Sequence, residues 1–475
     1  MRPVVLGVDS STQSTKVEAR CVATGALLAA GRASHPATDP PRSEQHPDAW
    51  WTALTDAIGQ LGAIRSDVVA LAVGAQQHGL VLLDDSGAVL RPAKLWNDTT
   101  SAPEAAALVA AHGRAWWAAR TGSVPVASFT VTKVAWVRDH EPQHHARIAR
   151  VKLPHDYLTW RLTGEHVTDR GDASGTGWWG PQGYCTDVLD LVGLTVAMVP
   201  RVCGPFESVG VIAGPVADSL GLPHGVVVGP GTGDNMAAAL GLALRPGDVA
   251  MSIGTSGTVY GVSARGTADE TGAVAGFADA SGRFLPLVCT LNATRVTETV
   301  ARWLGVDLVT LGDLALAATG EGAILVPYLD GERTPDLPDA TGVFAGLRTS
   351  TTRDDLALGA FDGVLCGLLD GRDALLAAGA DISGRVHLVG GGARAAAYRQ
   401  RLADLADCAV VVPEGDEVVA TGACVQAAAV LGGEDERIVA DRWGLGGGHQ
   451  VVPRPGVDAR ARRDAYAAAR ALVVS

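Results

Sequence analysis

One device, used once in each half of the chain, restricts the fold more than any other feature. It is a short apolar run, a turn of hydroxyl and glycine residues, and a returning run. In the first half, residues 4–8 read as a buried strand that ends on Asp9. The turn Ser10-Ser11-Thr12-Gln13-Ser14-Thr15-Lys16 follows, then a run over 17–23, a Thr24-Gly25 turn and a third run over 26–30. In the second half, a strand over 247–253 meets Gly254-Thr255-Ser256-Gly257 and returns through 258–262. A strand delivered into such a turn aims successive N–H groups and hydroxyls at one spot, which suits an anion. Asp9 beside the first turn is placed to hold a divalent cation that bridges phosphate oxygens. Taken singly, each turn is equally compatible with an ordinary Ser/Thr or glycine hairpin.

Around these turns the chain alternates between strand and helix. His46-Pro47-Asp48 opens a helix with Trp50, Trp51, Leu54, Ile58 and Leu61 on one face. Residues 68–73 form a strand that runs into Gln76-Gln77-His78-Gly79, and 226–228 form another that enters Gly229–Asp234 before a helix over 236–244. Later come a strand over 386–389, the loop Gly390-Gly391-Gly392, a helix over 393–405, a strand over 409–412 and a helix over 418–431. The expected class is α/β, with helices packed on a mixed sheet. Repetition of the device predicts two related domains, 1–245 and 246–475, meeting near Arg245-Pro246-Gly247.

Charge narrows the function. With 38 basic and 51 acidic side chains the net charge is −13, which excludes nucleic acid and anionic membrane as partners. The four lysines stand at 16, 94, 133 and 152, none after a glycine, so no Walker A loop exists. Any phosphate must then be held by backbone, hydroxyls and metal. Seven scattered cysteines form no CxxC pair and read as core thiols in a reducing cytoplasm. No apolar run approaches the ~18 residues of a membrane span, and the first one meets Asp9 at once, so no signal peptide is expected.

Asp234 lies at a glycine-rich strand-to-helix corner, where a general base for a substrate hydroxyl belongs; the bland alternative is a helix cap. Gln77, His78, Trp96, Asn97 and Asp98 follow strand ends. They offer the hydrogen-bonding groups and the apolar wall that a polyhydroxylated ligand needs. His140-Glu141-Pro142-Gln143-His144 matches a zinc-protease pattern, but Pro142 interrupts the helix that pattern requires. Gly390-Gly391-Gly392-Ala393-Arg394-Ala395 fits a dinucleotide fingerprint and supplies a rival reading, an NAD-dependent oxidoreductase. Too little chain follows it for a second mononucleotide half.

Taken together and in order, these blocks resemble the FGGY carbohydrate kinases. The match rests on Gly7-Val8-Asp9 with its hydroxyl loop, Gln76-Gln77-His78-Gly79 with Leu95-Trp96-Asn97-Asp98, Gly233-Asp234-Asn235, Ser252–Gly257 and Gly390–Arg394. Two further patterns, Phe129–Trp136 and Gly342–Leu347 with Asp355-Leu356, are also similar. The resemblance implies two RNase-H-like domains of the actin/hexokinase type around a central cleft for ATP and sugar. It implies Mg2+-dependent phosphoryl transfer from ATP to a ketose, D-xylulose before ribulose or a deoxy-ketose. By position, Asp234 is the base and shares the metal with Asp9. Thr12, Gln13, Ser14, Lys16, Gly254, Thr255 and Ser256 hold phosphates, and Gly391, Gly392 and Ala393 lie against adenosine. Gln77, His78, Trp96, Asn97, Asp98 and Asn235 face the sugar. Gln77 and Ser11 depart from the family's usual Met and Gly. A homodimer is an expectation at family level only. A non-catalytic sugar or ATP sensor on the same fold is the remaining alternative, opposed by the retained Asp9 and Asp234.

Overall fold

The computed structural model describes residues 2–318, 322–415 and 417–474. The chain forms two compact units, and neither is continuous. One comprises Met1–Leu244, Gly266–Leu285 and Glu417–Gly446; the other comprises Arg245–Arg265, Pro286–Asp416 and Gly447–Ser475. The expected linear domains 1–245 and 246–475 meet the first crossing point, but the units interleave beyond it. The cause is visible in the first unit, where the late helix Val418–Gly432 lies against the N-terminal sheet.

In that unit β1 (Val4–Ser10), β2 (Ser14–Cys21) and β3 (Leu27–Ser34) form an antiparallel meander. Strand β4 (Val68–Ala75) pairs with β1 in parallel. Beyond it lie β5 (Gly210–Val211) and β6 (Val227–Val228), giving the order β5-β6-β4-β1-β2-β3. A short β7 (Thr232–Gly233) pairs with the far end of β4.

The second unit contains β8 (Val249–Ile253), β9 (Gly257–Gly261), β10 (Phe284–Thr290) from Pro286 onward, β11 (Val386–Val389), β12 (Val410–Val412) and β13 (His449–Val451). They run β10-β9-β8-β11-β12-β13. Each unit therefore shows a three-stranded meander, two further parallel strands and an antiparallel edge. The repeated turn in the sequence marks a repeated topology.

Strand β1 is buried throughout and apolar up to Val8 because both of its faces are covered. Val4, Leu6 and Val8 face Trp50, Leu54 and Ile58 of the helix Pro47–Gly59. Val5 and Gly7 face the helix Val418–Gly432. A Cβ on Gly7 would stand 2.0 Å from the Ala420 carbonyl oxygen. The same helix crosses the helix Asp234–Gly241 just as closely: a Cβ on Gly422 would lie 1.8 Å from the Ala237 carbonyl oxygen. One late helix thus touches both the strand that ends on Asp9 and the helix that begins with Asp234. Among the described residues no helix is long and apolar enough to cross a membrane.

Candidate active site

The parallel register sets the first relationship. Asp9 pairs with Gly74 of β4, and on the other side of β4 Gly233 pairs with Ala75. Two strand spacings put the Asp9 and Gly233 backbones about 10 Å apart at one edge of the sheet. Gln76, Gln77 and His78 leave β4 between them. This is the carboxyl edge of the parallel strands, where open α/β sheets bind ligands.

Asp9 is 5 % exposed, and its Oδ1 is buried without a hydrogen-bond partner. Burial, aided by Glu417 and opposed by Lys16, pushes its carboxyl up to about 6. Asp234 is only partly covered and is the first residue of its helix, with Gly233 at the cap position. Its Oδ1 accepts from the Asn235 backbone N (2.8 Å) and Asn235 Nδ2 (2.9 Å), so it does not serve as the helix cap. Burial first, and then the negative charge of Asp9, pushes Asp234 up to about 7. A carboxyl near neutrality is suited to accepting a proton at working pH.

Asn235 Nδ2 also donates to Gln77 Oε1 at 3.0 Å, which links the sugar-side block to the base. The side-chain nitrogens of Gln76 and Gln77 and the Asn97 Oδ1 are buried with no partner. Buried polar atoms seldom stay unsatisfied, so orphans grouped here point to a polar ligand. His78 sits in the left-handed region (φ 64°), its Nδ1 is 2.7 Å from the Gly175 carbonyl, and its ring stacks on Phe129 with a 5.1 Å centroid separation. Phe277 packs against the same ring at 5.5 Å. Trp96 is 38 % exposed, and its indole donates to Thr12 Oγ1 at 2.9 Å. Thr12 in turn donates to Gln76 Oε1 at 3.3 Å.

Two expected contacts take other duties in the structure. Asp98 is fully buried and accepts from Ser43 N, Lys94 Nζ and Thr100, so it braces the loop rather than facing a ligand. Lys16 bridges Asp9 (3.5 Å) and Glu417 (2.6 Å) instead of standing free for phosphate. Burial works against its ammonium charge, but these two carboxylates outweigh it and raise its pKa. Ser14 is buried at the start of β2, whereas Gln13 is exposed at the tip of the turn.

In the second unit, Gly254, Thr255 and Ser256 lie between the paired residues Ile253 and Gly257, with Thr255 and Ser256 exposed. The loop after β11 packs on Ile253: a Cβ on Gly392 would lie 2.4 Å from Ile253 Cγ2. The hydroxyl turn and the glycine loop are therefore neighbours. Gly392 and Ala393 are buried, which leaves Gly390 and Gly391 as the exposed backbone of that loop. Gly391–Arg394 is a 3-10 turn, and the helix starts only at Ala396, unlike a dinucleotide fingerprint that opens a helix. The zinc-protease pattern is broken as expected. The helix ends at His140, and Glu141 binds Arg91 and His144.

Sequence reading missed Glu417, Phe277 and Gly175. Glu417 lies 401 residues from Lys16, and Gly175 contributes only a carbonyl, so no local pattern marks either.

Two α/β units of one topology, with paired carboxylates at a strand edge and a hydroxyl turn in each, define a sugar-phosphorylating enzyme of the actin/hexokinase-like class. The chain belongs to the FGGY family of carbohydrate kinases: its N-terminal domain model matches residues 4–241 and its C-terminal domain model matches 249–431. It is 51% identical to the xylulose kinase of Streptomyces rubiginosus over 446 residues, 93% of this chain and 91% of that one. It is 50% identical to the xylulose kinase of Streptomyces coelicolor over 451 residues, 94% and 92% of the two chains. The crystal structure of xylulose kinase from Bifidobacterium adolescentis superposes with a TM-score of 0.86 at 40% identity, covering 99% of both chains.

Proposed function

We propose that this enzyme transfers the terminal phosphoryl group of ATP to the terminal hydroxyl of a linear ketose, D-xylulose at O5. The carrying observation is the Asp234–Asn235–Gln77 chain: a carboxyl near neutrality is hydrogen-bonded to Asn235, which also donates to Gln77, whose buried Nε2 lacks a partner. Identity of about half to xylulose kinases over nearly the whole chain supports the choice of sugar.

In this reading Asp234 accepts the proton of the attacking hydroxyl. Asn235 and Gln77 orient the carboxylate and the sugar, and His78 and Trp96 supply the wall. The buried, unpartnered Asp9 Oδ1 fits a divalent cation. Among the described residues no group of three or more His, Cys, Asp or Glu side chains is arranged to hold a metal ion by itself. Mg2+ bound through one or two carboxylates and substrate phosphates needs none. When bound, the ion neutralises phosphate charge. Phosphoryl transfer asks the protein mainly for positioning and charge compensation. The exposed backbone and hydroxyls of Gly254–Ser256 and of Gly390 and Gly391 suit the nucleotide. Seven free cysteines support a reducing, cytoplasmic setting.

An ADP-release assay over D-xylulose, ribulose, deoxy-ketoses and glycerol tests the reading. The highest kcat/KM is expected for D-xylulose. Preference for another ketose overturns the substrate, and tight sugar binding without turnover indicates a sensor.

A further inference from the structure

Behind the candidate base lies a group of ionisable residues that the reaction does not touch. His155, Asp156, Asp169 and Asp172 are 0–2 % exposed. His155 Nε2 stands 3.2 Å from Asp156 Oδ1, 3.4 Å from Asp169 Oδ1 and 3.4 Å from Asp172 Oδ2. Burying four such groups is costly unless they are paired and employed. Part of the employment is local. Asp156 accepts from Leu153 N and closes the start of the helix Pro154–Thr163. Asp169 accepts from Gly171 N and Asp172 N and caps the turn Arg170–Ala173.

Both Asp172 oxygens, Asp156 Oδ1 and the His155 nitrogens make no hydrogen bond, but Asp169 and His155 also meet the segment entering Asp234. Thr232 Oγ1 donates to Asp169 Oδ2 at 2.6 Å. Gly231, at φ 75°, lets the backbone rest on His155; a Cβ there would lie 2.7 Å from Nδ1. Gln426 grips both sides of Gly231, accepting from its N at 3.0 Å and donating to its O at 3.1 Å. Three side chains from three distant segments therefore hold Gly231-Thr232. By contrast, among the described residues the hydrogen bonds to the Asp234 carboxylate are local, from Asn235 and from the Asp234 backbone N–H.

We propose that Asp169, seated on His155, is a positioning residue that fixes the direction of the Asp234 carboxylate through the Thr232 hydroxyl. The charge state of the group favours such a rigid strut. Burial alone would neutralise His155, but the Asp156, Asp169 and Asp172 carboxylates outweigh it and push its pKa up to about 9. The imidazolium thus stays charged opposite Asp169. The proposal rests on Asp234 being the base, and the experiment separates the two.

Thr232→Val removes the hydroxyl while leaving the Asp169 cap intact. With D-xylulose and MgATP, kcat is expected to fall roughly tenfold, about the effect of losing one charge-assisted hydrogen bond. Both KM values should stay within about twofold and Tm within about 2 °C, close to the small effect of a change that leaves packing intact. Thr232→Ser is expected to restore most of the turnover. In an Asp234→Ala background, Thr232→Val is expected to cause no further loss. Wild-type kcat in Thr232→Val overturns the proposal. So does a loss that tracks Tm and is not rescued by Ser, or one that adds fully to Asp234→Ala. If Thr232→Val does not fold, Asp169→Asn keeps one oxygen acceptor at the cap and removes the negative charge that Thr232 and His155 face; unchanged kcat there overturns the proposal too. Turnover retained by Asp234→Ala defeats the base reading itself.

Discussion

The two hydroxyl turns share a topology but not a mechanical state. In the first, Ser11–Ser14 sit between the paired residues Ser10 and Thr15, and Ser11, Thr12 and Thr15 are tied down. Ser11 Oγ donates to Ser14 O, Thr12 is held by Trp96 and Gln76, and Thr15 contacts His35 at 2.8 Å. Its strand is pinned from behind by the Gly7 contact. In the second, Gly254 N donates to Ser256 O and Thr294 N to Gly254 O, while Thr255 and Ser256 stand exposed. A braced turn beside the buried Asp9 and the half-buried Asp234 suits positioned chemistry. An exposed turn with accessible donors suits a ligand that comes and goes. The same device has been specialised by what packs against it.

This contrast is testable, starting with its largest consequence. Asp234→Ala is expected to lower kcat by at least ~10², the lower end for loss of a general base; near wild-type turnover would remove the chemistry from the braced side. Next, the two glycines should respond oppositely to an added methyl. Gly7→Ala drives a Cβ into a backbone carbonyl and is expected to cost about 3 kcal/mol or more. Gly254→Ala meets nothing closer than 3.5 Å and should stay within about 0.5 kcal/mol. Equal melting losses for both variants would erase the distinction. Asp9→Asn is expected to raise the Mg2+ concentration for half-maximal rate roughly tenfold, and an unchanged Mg2+ titration would count against Asp9.

The smallest effect concerns pH. Asp9 and Asp234 titrate near 6 and 7 in the folded chain, against an ordinary value of 3.8. Between these values the folded chain binds more protons than the unfolded one. Ligand-free stability therefore falls as pH rises from about 4 to 7 and then levels off. Asp234→Asn removes its share of that cost, so thermal melts should show a gain at pH 8 that shrinks below pH 5. A constant difference across that range would contradict the assigned shift. In the intact enzyme, kcat/KM should rise with pH and reach a plateau above about 7.

Much of this was legible before any coordinates. The strand ending on Asp9, the corner at Asp234 and the second turn are each marked by local chemistry: β-branched runs, glycines and a carboxylate at a strand end. The residue roles were less legible. Asp98 and Lys16 look like ligand contacts by position, yet Lys94, Thr100 and Glu417 occupy them. Ala393 belongs to an exposed-looking glycine loop, yet it is buried.

The amino-acid sequence by itself determined the α/β class, the duplicated strand–turn–strand device, the absence of a lysine-based phosphate loop and the two carboxylates. These follow from apolar periodicity and from which residues tolerate turns, both local properties. Only the tertiary structure decided that the helix Val418–Gly432 backs both Asp9 and Asp234, and that His155 and Asp169 stand behind the corner. The physical reason is that these contacts join segments up to about four hundred residues apart, as Lys16 and Glu417 show. Close approach there depends on missing side chains at Gly7, Gly231 and Gly422. A glycine advertises room in the sequence, but only packing shows what fills it.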